Sequence, residues 1–338
     1  MKTKRYLILP LAMLLLLLAS CSSDDVSYSA SNRDIRFSVG WGDAVSRATV
    51  TERDIIYPNS VVWAWASMIN SADNNPATNT SSYFKAWHLK ANADHSLQGV
   101  SVTRQFPAVN HLNFYAMHGN FTSGQITENT TAFPADGLTF QVETDQSTPA
   151  NYYLSDLVYS VYPDVEPTGT DITLPFYHML SQIRVMLVAG DQVTTADLAQ
   201  CNVTLVNPIY SGTFTPSTDA ELFATQAGRA AMIVANTSQR SDITIKSSST
   251  SAFLNSSQYA SVVVPPQTYA QGSDMIKITL ANNHEFVFRP STALTLGSGK
   301  AYEIVITIND GHALGVITQL SDWQATTDEE TINFESSI

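Results

Sequence analysis

From Ala48 onward the chain is broken into short apolar runs by turn residues about every eight to twelve positions, with no long window of the helical 3.6-residue period. The runs are rich in Val, Ile, Thr and aromatic residues, which suit a pleated, half-buried surface. That spacing selects an all-β chain of packed sheets over an alternation of strands and helices.

The clearest alternation comes earlier. Ile35, Phe37, Val39 and Trp41 share one face of an extended segment while Arg36, Ser38 and Gly40 take the other, as expected of a half-buried strand. A comparable isolated strand closes the chain, with Ile332, Phe334 and Ile338 on one face. Between them, Val61–Met68 is apolar on both faces and reads as a central strand. Further strands are expected at 84–90, 109–117, 138–142 and 203–206, then at intervals to 289. Tyr152–Tyr162 starts irregularly and becomes apolar; Ile172–Ala189 makes one or two strands. Thr194–Leu198 suits one helical turn capped by a threonine. Tyr302–Ile308 runs into Asn309-Asp310-Gly311, a hairpin turn. Pro163–Thr170, with two prolines and a glycine, is the best linker in a chain long enough for two domains.

The first twenty residues are a different kind of signal. Lys2, Lys4 and Arg5 precede an apolar run, Tyr6–Ala19, shorter than the roughly 20 residues a membrane-spanning helix needs. Leu18-Ala19-Ser20-Cys21 then resembles a bacterial lipobox, which implies cleavage before Cys21 and acylation of that cysteine; an ordinary signal peptide cut beside a cysteine is the alternative. Ser22-Ser23-Asp24-Asp25 resembles the acidic stretch that sends lipoproteins of Bacteroidetes to the outer face of the cell. With Cys21 acylated, Cys201 is the only thiol left, so no internal disulfide forms. Cys201 opens a strand-like run and reads as a small buried residue. The formal charge is −13 and the one dense basic cluster lies in the leader, so nucleic acid is excluded as a partner.

Chemistry is hard to find. The seven histidines show no metal-ligand spacing. Gly297-Ser298-Gly299-Lys300 lacks the earlier glycine and the hydroxyl residue of a phosphate loop and reads as a turn. Asp73-Asn74-Asn75 lacks the spaced acids of a calcium loop. Trp63, Trp65 and Trp87 suit either a sugar platform or a strand core, and the core explains them more simply. His178, between Phe176 and Met179, reads as a hydrogen-bonded core histidine. No catalytic residue, metal or cofactor is expected, and the chain is not read as an enzyme.

Several motifs in succession resemble the fimbrillin family of Bacteroidetes pilins, in its Mfa-like branch. They are the lipobox at Cys21, Ile35–Val39 ahead of Ser46-Arg47-Ala48-Thr49, Asn113-Phe114-Tyr115-Ala116, Ser155–Tyr159, Leu174–Ile183, Gly297–Ile308 and Leu320-Ser321-Asp322-Trp323. The resemblance implies two tandem transthyretin-like Greek-key β-sandwich domains, exported as a lipoprotein and trimmed on the surface by an arginine-specific protease. It implies a signal peptide at 1–20, a lipidated pro-segment with the first strand at 21–47, and domains at 48–168 and 169–338. Arg47-Ala48 would be the scissile bond, although Arg53 and Arg104 are also open to such a protease. Ile35, Phe37, Val39 and Trp41 would be the strand removed. Ile332, Phe334 and Ile338, within 327–338, would form the donor face that fills a neighbour's groove. Only fifteen residues follow Trp323 and Thr326–Glu330 are polar, so the donor is short. Implied partners are other fimbrial subunits, the outer membrane through lipid on Cys21, the protease, and a host or bacterial receptor. The alternatives are a non-polymerising surface adhesin or glycan-binding lipoprotein, and an anchor or tip subunit that keeps its lipid.

Overall fold

The computed structural model describes residues 33–41, 56–69, 80–248, 259–309, 312–323, 329–330 and 336–337. Seven strands close into a barrel: β1 (Phe37–Trp41), β2 (Val61–Ile69), β3 (Thr80–Ala91), β4 (Ser96–Gly99), β5 (Leu112–His118), β7 (Val158–Val165) and β8 (Ile172–His178), in the order β1-β4-β3-β2-β5-β7-β8. The strand β6 (Leu138–Gln141) leaves the barrel to pair elsewhere.

The doubly apolar sequence of β2 has a direct structural cause. Val62, Ala64 and Ala66 fill the barrel interior, whereas Trp65 packs outside in a second, larger core. β5 does the same: Leu112, Phe114 and Ala116 point in, Tyr115 and Met117 out, and all seven of its residues are buried. This stretch of wall therefore separates two cores. In β3 the pairing register with β2 slips around Ala64–Ser67, and Ala86 takes φ of 32°. That irregularity reverses the alternation, so Phe84, Trp87 and Leu89 all face inward while Ala86 joins the outer core.

The outer core is completed by the rest of the chain. The helix α1 (Pro149–Ser155) starts at Thr148, whose hydroxyl accepts from the Asn151 amide, with proline in its first turn. β9 (Ser181–Ala189) is followed by α2 (Thr195–Ala199), whose Thr194 and Asp197 form the expected threonine cap as a reciprocal box. Then come β10 (Asn202–Leu205), β11 (Ser211–Phe214), α3 (Ala220–Ala224), α4 (Gln226–Ala231), β12 (Ile233–Ala235), β13 (Ile243–Lys246), β14 (Tyr259–Val264), β15 (Gln267–Tyr269), β16 (Ile276–Thr279), β17 (Glu285–Phe288), β18 (Leu294–Leu296), β19 (Lys300–Asn309), β20 (His312–Asp322), β21 (Glu329–Glu330) and β22 (Ser336–Ser337). The largest of these sheets runs β14-β9-β19-β20-β21, with β22 also on β20. Two others run β13-β10-β16-β17 and β12-β11-β6, and β15 pairs with β18.

The chain is all-β, with a closed barrel and several smaller sheets. Ile172–Ala189 forms two strands, β8 and β9, and the β19–β20 hairpin pairs Asn309 with His312 as its turn sequence predicts. Pro163–Thr170, expected as a linker, is the end of β7 and the turn into β8, its antiparallel neighbour in the barrel.

Candidate functional site

The seat of β1 is where the sequence-predicted residues come together. β1 runs antiparallel to β4 and parallel to β8, pairing Phe37 with Ile172 and Trp41 with Phe176, so it closes the barrel seam. Before β1, the Ile35 amide donates to the Arg104 carbonyl and the Phe106 amide to the Arg33 carbonyl. Outside, the Arg36 guanidinium donates to Asp171 at 2.7 Å and to the Gly169 carbonyl at 2.6 Å, and the hydroxyls of Ser38 and Thr173 meet at 3.0 Å.

The inward face is tightly filled. Ile35 is 3% exposed and Phe37 1%. Phe37 meets Phe114 edge-on at 5.0 Å and Trp87 at 5.8 Å. Val39 is only half-buried. At Gly40 an added Cβ would lie 2.6 Å from the Thr173 methyl, so the backbone approaches β8 more closely than a side chain allows. At the end of the strand Trp41 stacks on His178, centroids 4.6 Å apart and 12° from parallel, and His178 stacks in turn on Trp323 at 3.8 Å and 5°. The imidazole is thus held between an indole of the first strand and an indole that follows β20. Its Nδ1 lies 2.8 Å from Asp156 Oδ2, close but out of line for a hydrogen bond. The Trp41 indole nitrogen is buried with no hydrogen-bond partner among the described residues.

Ile35, Phe37, Val39 and Trp41 therefore share one face as the alternation predicts, but the parallel pairing with β8 and the three-ring stack have no local sequence signal. Cys21, Arg47 and Ala48 lie outside the described residues, as do Ile332, Phe334 and Ile338. Arg47 and Ala48 fall by number between β1 and β2. Within the tail, β21 and β22 pair with β20 through Gln319–Glu330, Leu320–Glu329, Leu314–Ser337 and Gly315–Ser336.

The other candidates resolve into core. Trp65 and Trp87 are buried and donate their indole N–H to the Thr131 and Val102 carbonyls, whereas Trp63 is half-buried against His88. Cys201 is buried and burial pushes its thiol up from the ordinary value. Beside it the Lys246 ammonium donates to the carbonyls of Ala199 and Cys201, and burial holds its pKa down. Gly297–Lys300 is a turn whose Ser298 hydroxyl is spent on the Met179 carbonyl. No cluster of metal-ligating side chains occurs among the described residues.

A fimbrillin-like family model matches residues 53–323. The chain belongs to the fimbrillin-like family. Membership gives this fimbrillin a structural rather than catalytic role, at the outer membrane and cell surface where fimbriae are displayed. The matched span starts beyond β1 and stops before the tail, so the roles of those two segments rest on their own residues. Two crystal structures share the fold. A candidate cell adhesion protein of Bacteroides uniformis is 16% identical, with a TM-score of 0.57, over 86% of this chain and 97% of that one. Another, from Bacteroides ovatus, is 15% identical, with a TM-score of 0.56, over 87% and 98%. No curated protein sequence matches.

Proposed function

We propose that this fimbrillin is a filament subunit that is exported as a lipoprotein on Cys21, trimmed between Arg47 and Ala48, and joined to its neighbour by strand exchange. The observation that carries this reading is that β1 is the closing strand of the barrel and that the expected cut falls in its connection to β2. After such a cut β1 is held by noncovalent contacts alone. Its departure would bare the inner faces of Phe114 and Trp87 and leave Ile172–Pro175 of β8 without a described ladder partner. An extended peptide satisfies both needs at once. Refilling the places of Ile35, Phe37 and Trp41 is worth on the order of 5 to 9 kcal/mol before ordering costs. The donor in this reading is the tail at 327–338, and the partners are like subunits, the outer membrane, an arginine-specific protease and a surface receptor. The tandem transthyretin-like arrangement belongs to the same reading, with the barrel as the first unit.

A second reading is a surface adhesin or anchor subunit that keeps β1. It is favoured by how completely Ile35 and Phe37 are buried in their own barrel. Mass spectrometry of the N-terminus on protein taken from cells separates the two. Ala48 as first residue is the expected result, and acylated Cys21 alone overturns the trimming step. Filaments unchanged after deletion of residues 327–338 would overturn the donor role.

A further inference from the structure

One cleft on the barrel wall is lined by cations and by no acid, in a chain whose formal charge is −13. β4 pairs only with residues 89–91 of β3, so residues 82–85 of that strand lie beyond its end. The strand is bulged here. Its pairing with β2 skips from Ala64–Trp87 to Ala66–Phe84, which leaves Lys85 and Ala86 opposite the single residue Trp65. Val102, Arg104 and Asn129 line the open side, and with Ser82, Tyr83 and Lys85 they bound a cleft of about 520 Å³, within the range of small-molecule sites. The bulge is fixed by backbone in a rare conformation. Ala86 has φ of 32° and Asn129 φ of 62°, and the Asn129 amide donates to the Ala86 carbonyl at 3.1 Å. Asparagine tolerates the left-handed region, but an alanine there is strained, and strain of this kind collects at binding sites.

The charges of the cleft are not spent on the fold. Arg36, Arg184, Arg289 and Lys277 each meet a carboxylate, whereas Lys85 and Arg104 meet none among the described residues. Arg104 lies over the Phe84 ring at 5.6 Å and gives one Nη to the neutral Asn129 side-chain oxygen. Its Nε is buried without a hydrogen-bond partner. A guanidinium satisfied only in part, with an aromatic ring against one face, is a stronger anion acceptor than one fully in water. The nearest acids in sequence have other partners: Asp34 accepts from the Gln105 side chain and Glu128 from the Ser101 hydroxyl. Arg33 adds to the positive field. Burial raises the Tyr83 phenol, and the guanidiniums of Arg104 and Arg33 act against that rise. The Tyr83 hydroxyl donates to the Gln105 carbonyl at 2.7 Å, which leaves its oxygen able to accept.

We propose that this cleft binds an acidic sugar, the carboxylate-bearing ring of a surface glycan, with Arg104 and Lys85 on the carboxylate and Ser82, Tyr83 and Asn129 on the neighbouring hydroxyls. The exposed Val102 side chain supplies an apolar wall for a face of the ring. A bare phosphate would engage the two cations and leave the neutral groups and the valine unused. The inference rests only on the surface location that both readings above share. Every lining residue lies beyond Ala48, so trimming removes none of them.

The test is calorimetric titration of the full chain with glucuronate, N-acetylneuraminate, glucose and inorganic phosphate. Both acidic sugars should bind, glucose roughly tenfold or more weakly, and phosphate less tightly than either acid. Binding should weaken as salt is raised. Arg104→Gln should reduce affinity for the acids by about tenfold or more, and Arg104→Lys should restore only part of it, since the charge returns without the planar fork. Lys85 is exposed, so Lys85→Gln keeps the fold and should cost a few-fold. Equal binding of glucose and glucuronate, unchanged affinity in Arg104→Gln or in Lys85→Gln, or no sugar binding at all overturns the assignment. Phosphate bound as tightly as the sugars makes this an unspecific anion site and overturns it too. None of these outcomes bears on strand exchange, which the N-terminal mass spectrometry tests separately.

Discussion

Tyr159 shows how single side chains tie the two cores together. It lies on the barrel strand β7 but packs outward, edge-on to Phe214 and Phe223, and its hydroxyl donates to the Ser217 carbonyl at 2.8 Å. Burial holds its phenol neutral well above the ordinary value of 10.0, and the phenols of Tyr152 and Tyr269 are pushed up for the same reason. Above about pH 10 the unfolded chain releases these protons and the folded chain does not, so the folded state binds more protons and stability falls as pH rises. Tyr159→Phe should lower stability at neutral pH by about 1 kcal/mol, through the lost hydrogen bond. It should also make the decline of Tm between about pH 9.5 and 11.5 shallower. A pH series of thermal scans on both proteins checks this; an unchanged slope would mean that Tyr159 already ionises while folded.

At the scale of the element, β1 decides whether the barrel is closed. Phe37→Ala removes a ring caged by Phe114 and Trp87 and should cost about 3 to 5 kcal/mol. Hydrogen exchange should rise first at β4 and at the amides of Ile172–Leu174, in the backbone that β1 covers. Faster exchange confined to other strands would contradict the closing role. β1 itself was legible because its alternation is local, and the threonine cap of α2 because a cap is written within four residues. The parallel pairing of β1 with β8 was not, although β8 itself reads as a strand, since Arg36 and Asp171 are 135 residues apart and no local period encodes that pairing. The prolines and glycine of 163–170 mark a break in extended structure equally well for a linker and for a turn, and only the pairing of β7 with β8 distinguishes them. α3 and α4 passed unnoticed because helices of five and six residues are too short to display an amphipathic period. The three-ring stack was invisible for a different reason: Trp41, His178 and Trp323 come from the beginning, middle and end of the chain, and each has an ordinary local context.

For the molecule as a whole, β6 is the stitch. By sequence it belongs with the barrel strands, yet it pairs with β11, and Leu138 and Phe140 sit in the outer core with Val185, Ile278 and Ile304. A fragment of residues 33–178 should therefore leave a broad apolar surface uncovered, bind a hydrophobic dye and unfold without a sharp transition, whereas the full chain should melt in one step. A cooperative melt of the fragment would show that the barrel stands alone. The polarity of the β1 seat has a further consequence. β1 fills it in one sense, parallel to β8, while the segment proposed to replace β1 follows β20 in the chain, so donor and acceptor are different patches of the surface. Contacts of that kind have no twofold axis and do not satisfy one another in pairs. Nicked subunits joined this way would carry one vacant end and one free end at every length, giving a directional thread that lengthens one copy at a time.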